Sequence, residues 1–178
     1  MSEINRSDQE LWVSWDDYHQ LIEQLALIVH RSGWQFDQIL CLARGGLRVG
    51  DVLSRLFDRP LAILSASSYR EERGKRQTEL ILSTSVSSTA GPLQGRVLVV
   101  DDLADSGATL AGVIAHLQSA FPQIREIRTA VLWWKARSVF HPDFHVQKLS
   151  HNPWIHQPFE RYDTSSPQDL AVLTEKRD

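Results

Sequence analysis

Along the chain, short unbroken apolar runs alternate with stretches in which apolar residues recur every three or four positions. Ser14 with an acid at Asp17 forms a helix-start pattern, and Tyr18, Leu21, Ile22, Leu25, Ile28 and Val29 then repeat at helical spacing as far as Gly33. Residues 39–43 are continuously apolar, as in a parallel strand covered on both faces, and end at Arg44-Gly45-Gly46. Val49, Val52, Leu53 and Leu56 predict the next helix, and after Arg59-Pro60 residues 61–66 predict a second strand. Residues 69–78 are charged and aperiodic, which predicts a loop, with 79–84 as its returning strand and the Ser, Gly and Pro of 86–95 as a connection. Residues 96–100 give the clearest strand and run straight into Asp101-Asp102. A helix starting near Ala108 accounts for Leu110, Val113, Ile114 and Leu117. Residues 127–133 and, more weakly, 145–149 predict further strands, and Ser166-Pro167-Gln168-Asp169 predicts a short closing helix in the tail 164–178. This alternation is the pattern of an α/β fold with a mainly parallel, doubly wound sheet flanked by helices.

Composition narrows the class. With 178 residues, 42% hydrophobic and 23% charged, the expectation is a single domain over 1–178, with the polar residues 1–10 flexible. A net charge of -3 supplies no basic face, so neither nucleic acid nor an anionic membrane is an expected partner. No apolar stretch approaches transmembrane length, which leads to an expected cytoplasmic location. The single cysteine, Cys41, falls inside an apolar run and is expected as a buried strand thiol.

In an open α/β sheet ligands bind beyond the carboxyl ends of strands, and two such stretches carry chemistry. After Val100, Asp101 and Asp102 precede Leu103-Ala104-Asp105-Ser106-Gly107-Ala108-Thr109. Backbone N–H groups of Ser106 to Thr109 at a helix start point toward an anion, Ser106 and Thr109 add hydroxyls, and Gly107 permits close approach. The two carboxylates suit ribose hydroxyls or a hard cation such as Mg2+, met directly or through water. An acidic loop with a helix cap would explain the capping residues but not two consecutive acids flush against a buried strand. The second stretch is Arg44-Gly45-Gly46, where paired glycines let amides converge on a diphosphate and Arg44 adds charge.

The segment from Val97 to Thr109, with its Asp-Asp, two residues, then Asp-Ser-Gly-x-Thr, resembles the phosphoribosyl pyrophosphate signature of the type I phosphoribosyltransferases. The only departure is Ser106 where threonine is common, which keeps the hydroxyl. The resemblance implies that fold, with a small hood from the terminal segments and a base-binding hood region over 135–163. It implies a Mg2+-dependent glycosyltransferase of purine salvage that binds phosphoribosyl pyrophosphate through Arg44, Gly45, Gly46, Asp101, Asp102, Ala104, Asp105, Ser106, Gly107, Ala108 and Thr109, with Asp101 and Asp102 at the metal. The family commonly holds a non-proline cis peptide at the Arg44 loop, which the sequence itself leaves open, and the resemblance further implies Tyr69, Arg70, Arg73, Lys75 and Arg76 as a loop closing over the reaction centre. Asp105 is the expected catalytic acid/base.

Lys135, after the apolar 127–133, resembles the lysine by which the 6-oxopurine branch meets the exocyclic oxygen. Asn152-Pro153-Trp154-Ile155-His156-Gln157-Pro158 is similar to the Trp-Ile-x-Gln-Pro segment of the bacterial xanthine-guanine branch, implying that Trp154 stacks on the base and Ile155 offers backbone groups to its edge. Without that resemblance Lys135 reads as a surface lysine and Trp154 as core. His156 stands where an acid is frequent, which leaves xanthine, guanine and hypoxanthine open. His141 and His145 invite a metal reading, but Pro142 interrupts their helical spacing. The family implies a homodimer or homotetramer. The rival class is a regulatory protein that keeps the phosphoribosyl pyrophosphate site without catalysis, and a second rival is a phosphoribosyltransferase for a different base.

Overall fold

The computed structural model describes residues 10–68, 80–83 and 85–175. In chain order the elements are β1 (Glu10–Trp12), α1 (Trp15–Arg31), β2 (Gln38–Ala43), α2 (Gly46–Phe57), β3 (Leu61–Ser68), β4 (Leu80–Leu82), β5 (Ser87–Ser88), β6 (Gly95–Val100), β7 (Leu103–Ala104), α3 (Ala108–Ala120), β8 (Ile124–Lys135), β9 (Phe144–Leu149), β10 (Trp154–His156) and α4 (Pro167–Glu175). The chain forms two compact units, Leu21–Asn152 and a smaller one from Met1–Gln20 with Pro153–Asp178, the division falling within α1.

The larger unit is built on a sheet in the order β4-β3-β2-β6-β8, with β9 parallel on the other edge of β8 and β5 antiparallel on β3. β2, β3, β6 and β8 are mutually parallel, and β4 returns antiparallel to β3. Alternation along the strands sorts side chains to two faces. Leu40, Leu42, Val97 and Val99 join Leu110, Val113 and Leu117 of α3 in one apolar cluster. Ile39, Cys41, Leu98 and Val100, alternate with these, are fully buried too. On the Cys41 side α2 packs so closely that a Cβ on Gly50 would lie 2.6 Å from the Cys41 Cβ. Helices thus cover both faces, the doubly wound arrangement that the alternation of runs predicts.

The sheet contains one interruption that matters. Val100 lies opposite Ala130 and Leu103 opposite Trp133, so β7 continues β6 beside β8 without an inserted residue. Asp101 and Asp102 fill the gap with their backbone groups still paired: the Asp101 N–H donates to the Ala130 carbonyl at 3.1 Å, and the Asp102 carbonyl accepts from the N–H groups of Leu132 and Trp133 at 3.0 and 3.2 Å. The Asp102 N–H in turn donates to the Asp101 Oδ1 at 3.0 Å, so the turn is held by backbone and carboxylate together. From Lys135 the chain turns back through 136–143, because β9 restarts beside Ala130. That return is pinned by the Asp143 Oδ2, which accepts from the Thr129 N–H at 2.8 Å and from its hydroxyl at 2.9 Å.

In the smaller unit β1 and β10 pair in parallel, Glu10 with Trp154 and Trp12 with His156. The Trp12 ring stacks on His156 at 3.7 Å, and Tyr18, fully buried, meets Phe159 edge-on at 5.6 Å. α1 begins with the reciprocal cap expected from Ser14 and Asp17: the Ser14 Oγ accepts from the Asp17 N–H at 3.1 Å, and the Asp17 Oδ2 accepts from the Ser14 N–H at 3.3 Å. Ser14→Ala is therefore expected to cost about 1 kcal/mol of stability, read as a shift in urea midpoint. α4 starts in the same way, Ser166 and Asp169 exchanging bonds. No helix among the described residues is long and apolar enough to cross a membrane.

Candidate active site

The register of β2 and β6 brings the two chemistry-bearing turns together. Cys41 lies opposite Val100, so the chain beyond each strand runs on side by side. The contact is tight: a Cβ on Gly46 would run into the Val100 carbonyl oxygen and stand 3.1 Å from the Asp101 Cα, and one on Gly45 would stand 2.7 Å from the Asp102 Cγ. Only glycine allows that approach. The Ala43–Arg44 peptide is cis, a point that the sequence leaves open, and Arg44 is exposed.

The two acids differ from ordinary surface carboxyls. Burial, and then the Asp102 carboxylate beside it, push the Asp101 carboxyl well above the usual range, although it accepts from the Asp102 N–H at 3.0 Å. Such a pair favours a proton, a hydroxyl donor or a cation. Both donors are hard oxygens, which suits magnesium. Among the described residues no group of three or more His, Cys, Asp or Glu is placed to hold a metal, so a cation here would draw its other ligands from a bound molecule and water.

Beyond β7 the chain passes Asp105 and enters α3. The helix cap is Gly107, at φ 79°, and no side chain caps the helix. Ser106 and Ala108 are exposed, and the Ala108 N–H makes a long bond to the Ser106 Oγ at 3.3 Å. Amides at a helix start without a strong side-chain cap suit an anion. Its shape depends on the return segment: a Cβ on Gly107 would stand 2.6 Å from Phe140 atoms, and the Val139 N–H donates to the Ser106 carbonyl at 2.9 Å. Ala104 is buried, held to Trp134 across the ladder.

Two residues singled out separately in the sequence meet directly. The Lys135 Nζ lies 3.1 Å from the Asp105 Oδ1, with the lysine side chain only 5% exposed. A cation so buried requires its partner. Arg137, which the sequence did not single out, grips the same carboxylate: its Nε donates to Oδ1 at 2.8 Å and its Nη2 makes a still closer contact with Oδ2. Burial acts to raise the Asp105 carboxyl, but the bonds from Arg137 and Lys135 outweigh it and hold the group below its usual value. A depressed carboxyl stabilises the fold above its ordinary titration range and loses that contribution as pH falls through the depressed value. Melting temperatures of wild type and Asp105→Asn are expected to differ most at neutral pH and to converge in acid.

Trp154 belongs to the smaller unit, 54% exposed, with Ile155 buried on the opposite face of β10 and His156 on the same face. The His156 Nε2 lies 3.9 Å from a Glu10 carboxylate oxygen. His141 and His145 both stand edge-on to the Trp134 ring, at 4.3 and 5.0 Å. Tyr69, Arg70, Arg73, Lys75 and Arg76 lie outside the described residues.

Residues 14–164 match the family model described as phosphoribosyl transferase domain. The chain is 27% identical to the xanthine-guanine phosphoribosyltransferase of Idiomarina loihiensis over 157 residues, 88% of this chain and 90% of that protein. It is 30% identical to the hypoxanthine/guanine phosphoribosyltransferase of Methanopyrus kandleri over 123 residues, 63% of this chain and 62% of that protein, less than two thirds of its length. The crystal structure of a purine phosphoribosyltransferase from Pyrococcus horikoshii is similar with a TM-score of 0.69 and 27% identity, covering 85% of this chain and 93% of that one.

Proposed function

The chain belongs to the phosphoribosyl transferase domain family, and from that premise we propose that it is a purine phosphoribosyltransferase, which transfers ribose 5-phosphate from phosphoribosyl pyrophosphate to a 6-oxopurine and releases diphosphate. The observation that carries this reading is the meeting of the Gly45-Gly46 turn with the Asp101-Asp102 pair, five residues ahead of the start of α3 at Gly107. Together they offer separate sites for a diphosphate, a ribose and a 5-phosphate. The amides of Ser106 to Thr109 and the hydroxyls of Ser106 and Thr109 hold the 5-phosphate. Arg44 and the amides of Gly45 and Gly46 hold the diphosphate.

Asp101 and Asp102 take the ribose hydroxyls and would hold magnesium. Held there, magnesium would supply the positive charge that eases departure of diphosphate. The carboxylates of Asp101 and Asp102 also stabilise positive charge growing at the anomeric carbon as that bond loosens. Asp105, held ionised, accepts the proton of the purine imidazole ring as its other nitrogen bonds to carbon. Lys135 donates to the 6-oxo group, Trp154 covers the ring face and Ile155 presents backbone groups to its edge. The assembly is a homodimer or homotetramer.

The test is incubation of the pure protein with magnesium, phosphoribosyl pyrophosphate and xanthine, guanine, hypoxanthine or adenine, following nucleotide and diphosphate together. Equimolar products with at least one 6-oxopurine and none with adenine are expected; cosubstrate binding without product would leave a sensor. A lysine ammonium donates only, so the 6-amino group of adenine meets donor with donor. Lys135→Gln, whose amide both donates and accepts, is expected to raise the KM for hypoxanthine about tenfold or more and to relax the exclusion of adenine.

A further inference from the structure

We infer that Arg137 is a positioning residue of the proposed reaction: it clamps the Asp105 carboxylate in plane and gives up the Oδ2 edge to the ring N–H of the incoming base, while Lys135 stays on Oδ1. The inference rests on the reading of Asp105 as the group that handles the purine proton. The clamp is a two-point one, guanidinium Nε on Oδ1 and Nη2 on Oδ2, which fixes the rotation of the carboxylate as well as its position. The Lys135 Nζ lies 3.1 Å from Oδ1 alone. Oδ1 is thus shared by two cations, and Oδ2 is held by Arg137.

Exposure decides which cation yields. The Lys135 side chain is 5% exposed and that of Arg137 53%. Lysine leaving the carboxylate would strand a buried charge, whereas the half-exposed Nη2 end of Arg137 swings off Oδ2 at small cost while Nε keeps Oδ1 and the plane of the carboxylate. The root of Arg137 stays fixed, since its own N–H donates to the Asn152 Oδ1 at 3.0 Å and the next residue, Ser138, donates to the Lys135 carbonyl at 3.0 Å. Lys135 and Arg137 are the charged groups that face Asp105 among the described residues. When a purine ring nitrogen bonds to the anomeric carbon, the carbon–oxygen bond to diphosphate breaks and its electron pair leaves with diphosphate. The proton of the other imidazole nitrogen goes to Oδ2, in the place that the guanidinium vacates.

Arg137→Ala and Arg137→Lys test this, with magnesium and phosphoribosyl pyrophosphate saturating and hypoxanthine varied. Arg137→Ala is expected to lower kcat about tenfold through misorientation, to leave the KM for phosphoribosyl pyrophosphate unchanged, and to move the acid limb of kcat/KM to higher pH. Arg137→Lys is expected to restore the acid limb, because the charge returns, but not kcat, because the fork does not. An Arg137→Ala protein with wild-type kcat and wild-type acid limb overturns the inference. Should the alanine variant not fold, the lysine variant carries the test alone, and wild-type kcat in it is the contrary result. A wild type that makes no nucleotide with any purine removes the proposed function instead. The clamp is then read from the Asp105 carboxyl titration by carbon-13 NMR, which moves up in Arg137→Ala if Arg137 holds the group and stays put if it does not.

Discussion

Replacing Asp105 with alanine is expected to lower kcat by about two to four orders of magnitude, the usual yield of a positioned acid or base, while the Kd for phosphoribosyl pyrophosphate changes little. The separation follows from where the groups sit. The proposed cosubstrate groups are the helix-start amides, the Asp101-Asp102 pair and the Gly45-Gly46 turn packed against that pair, whereas the Asp105 carboxylate is paired with Lys135 and Arg137. Steady-state kinetics beside calorimetric titration of the cosubstrate measures both quantities. Because the alanine leaves the buried Lys135 ammonium without its carboxylate, Asp105→Asn belongs in the same experiment: it keeps the shape, cannot take the proton, and should match the alanine variant in kcat. Turnover close to wild type in both variants would take Asp105 out of the chemistry.

The second large effect is expected at Gly46. A methyl there would run into the Val100 carbonyl oxygen and stand 3.1 Å from both the Val100 carbonyl carbon and the Asp101 Cα, all backbone atoms that no side-chain rotation can move. The turn must therefore back away from the two acids. Gly46→Ala is expected to weaken phosphoribosyl pyrophosphate binding by tenfold or more, roughly the cost of an ångström-scale displacement, and to cost about 1–3 kcal/mol of stability from overpacking. Gly91→Ala is the control: that glycine has nothing within 4 Å of its added Cβ, and although its φ of 84° makes the change mildly destabilising, the affinity should stay put. Equal loss of affinity in the two variants would show that Gly46 acts through general stability and not through the turn.

Much of this arrangement was legible in the sequence wherever the signal is local. The strand 39–43, the strand running into Asp101-Asp102 and the helix from Ala108 follow from apolar runs and periodicity, and the Ser14 and Ser166 caps follow from spacing within one turn. Lys135 was found through resemblance, and it meets Asp105. What escaped were features made by pairing between distant segments. β1 and β10 are three residues each, too short for a period, and exist because each supplies the other's ladder. β7 is two residues long, and only the common register along β8 reveals it as the continuation of β6. Arg137 stood two residues past Lys135 without a pattern to mark it; its role comes from the return of 136–143 toward Ala130, a consequence of β9 running parallel to β8. The connection 86–95 likewise contains β5, whose two serines carry no strand signature and are held by Ala62 and Ile63.

The proposed ribose 5-phosphate site is made by the amides of Ser106 to Thr109, and amide chemical shifts observe those groups one by one. Titration of the nitrogen-15 labelled protein with ribose 5-phosphate should shift the Ser106, Gly107, Ala108 and Thr109 signals in parallel and saturably, with smaller movements at Asp101 and Asp102. Saturable binding that leaves those four signals in place and moves another cluster would contradict it.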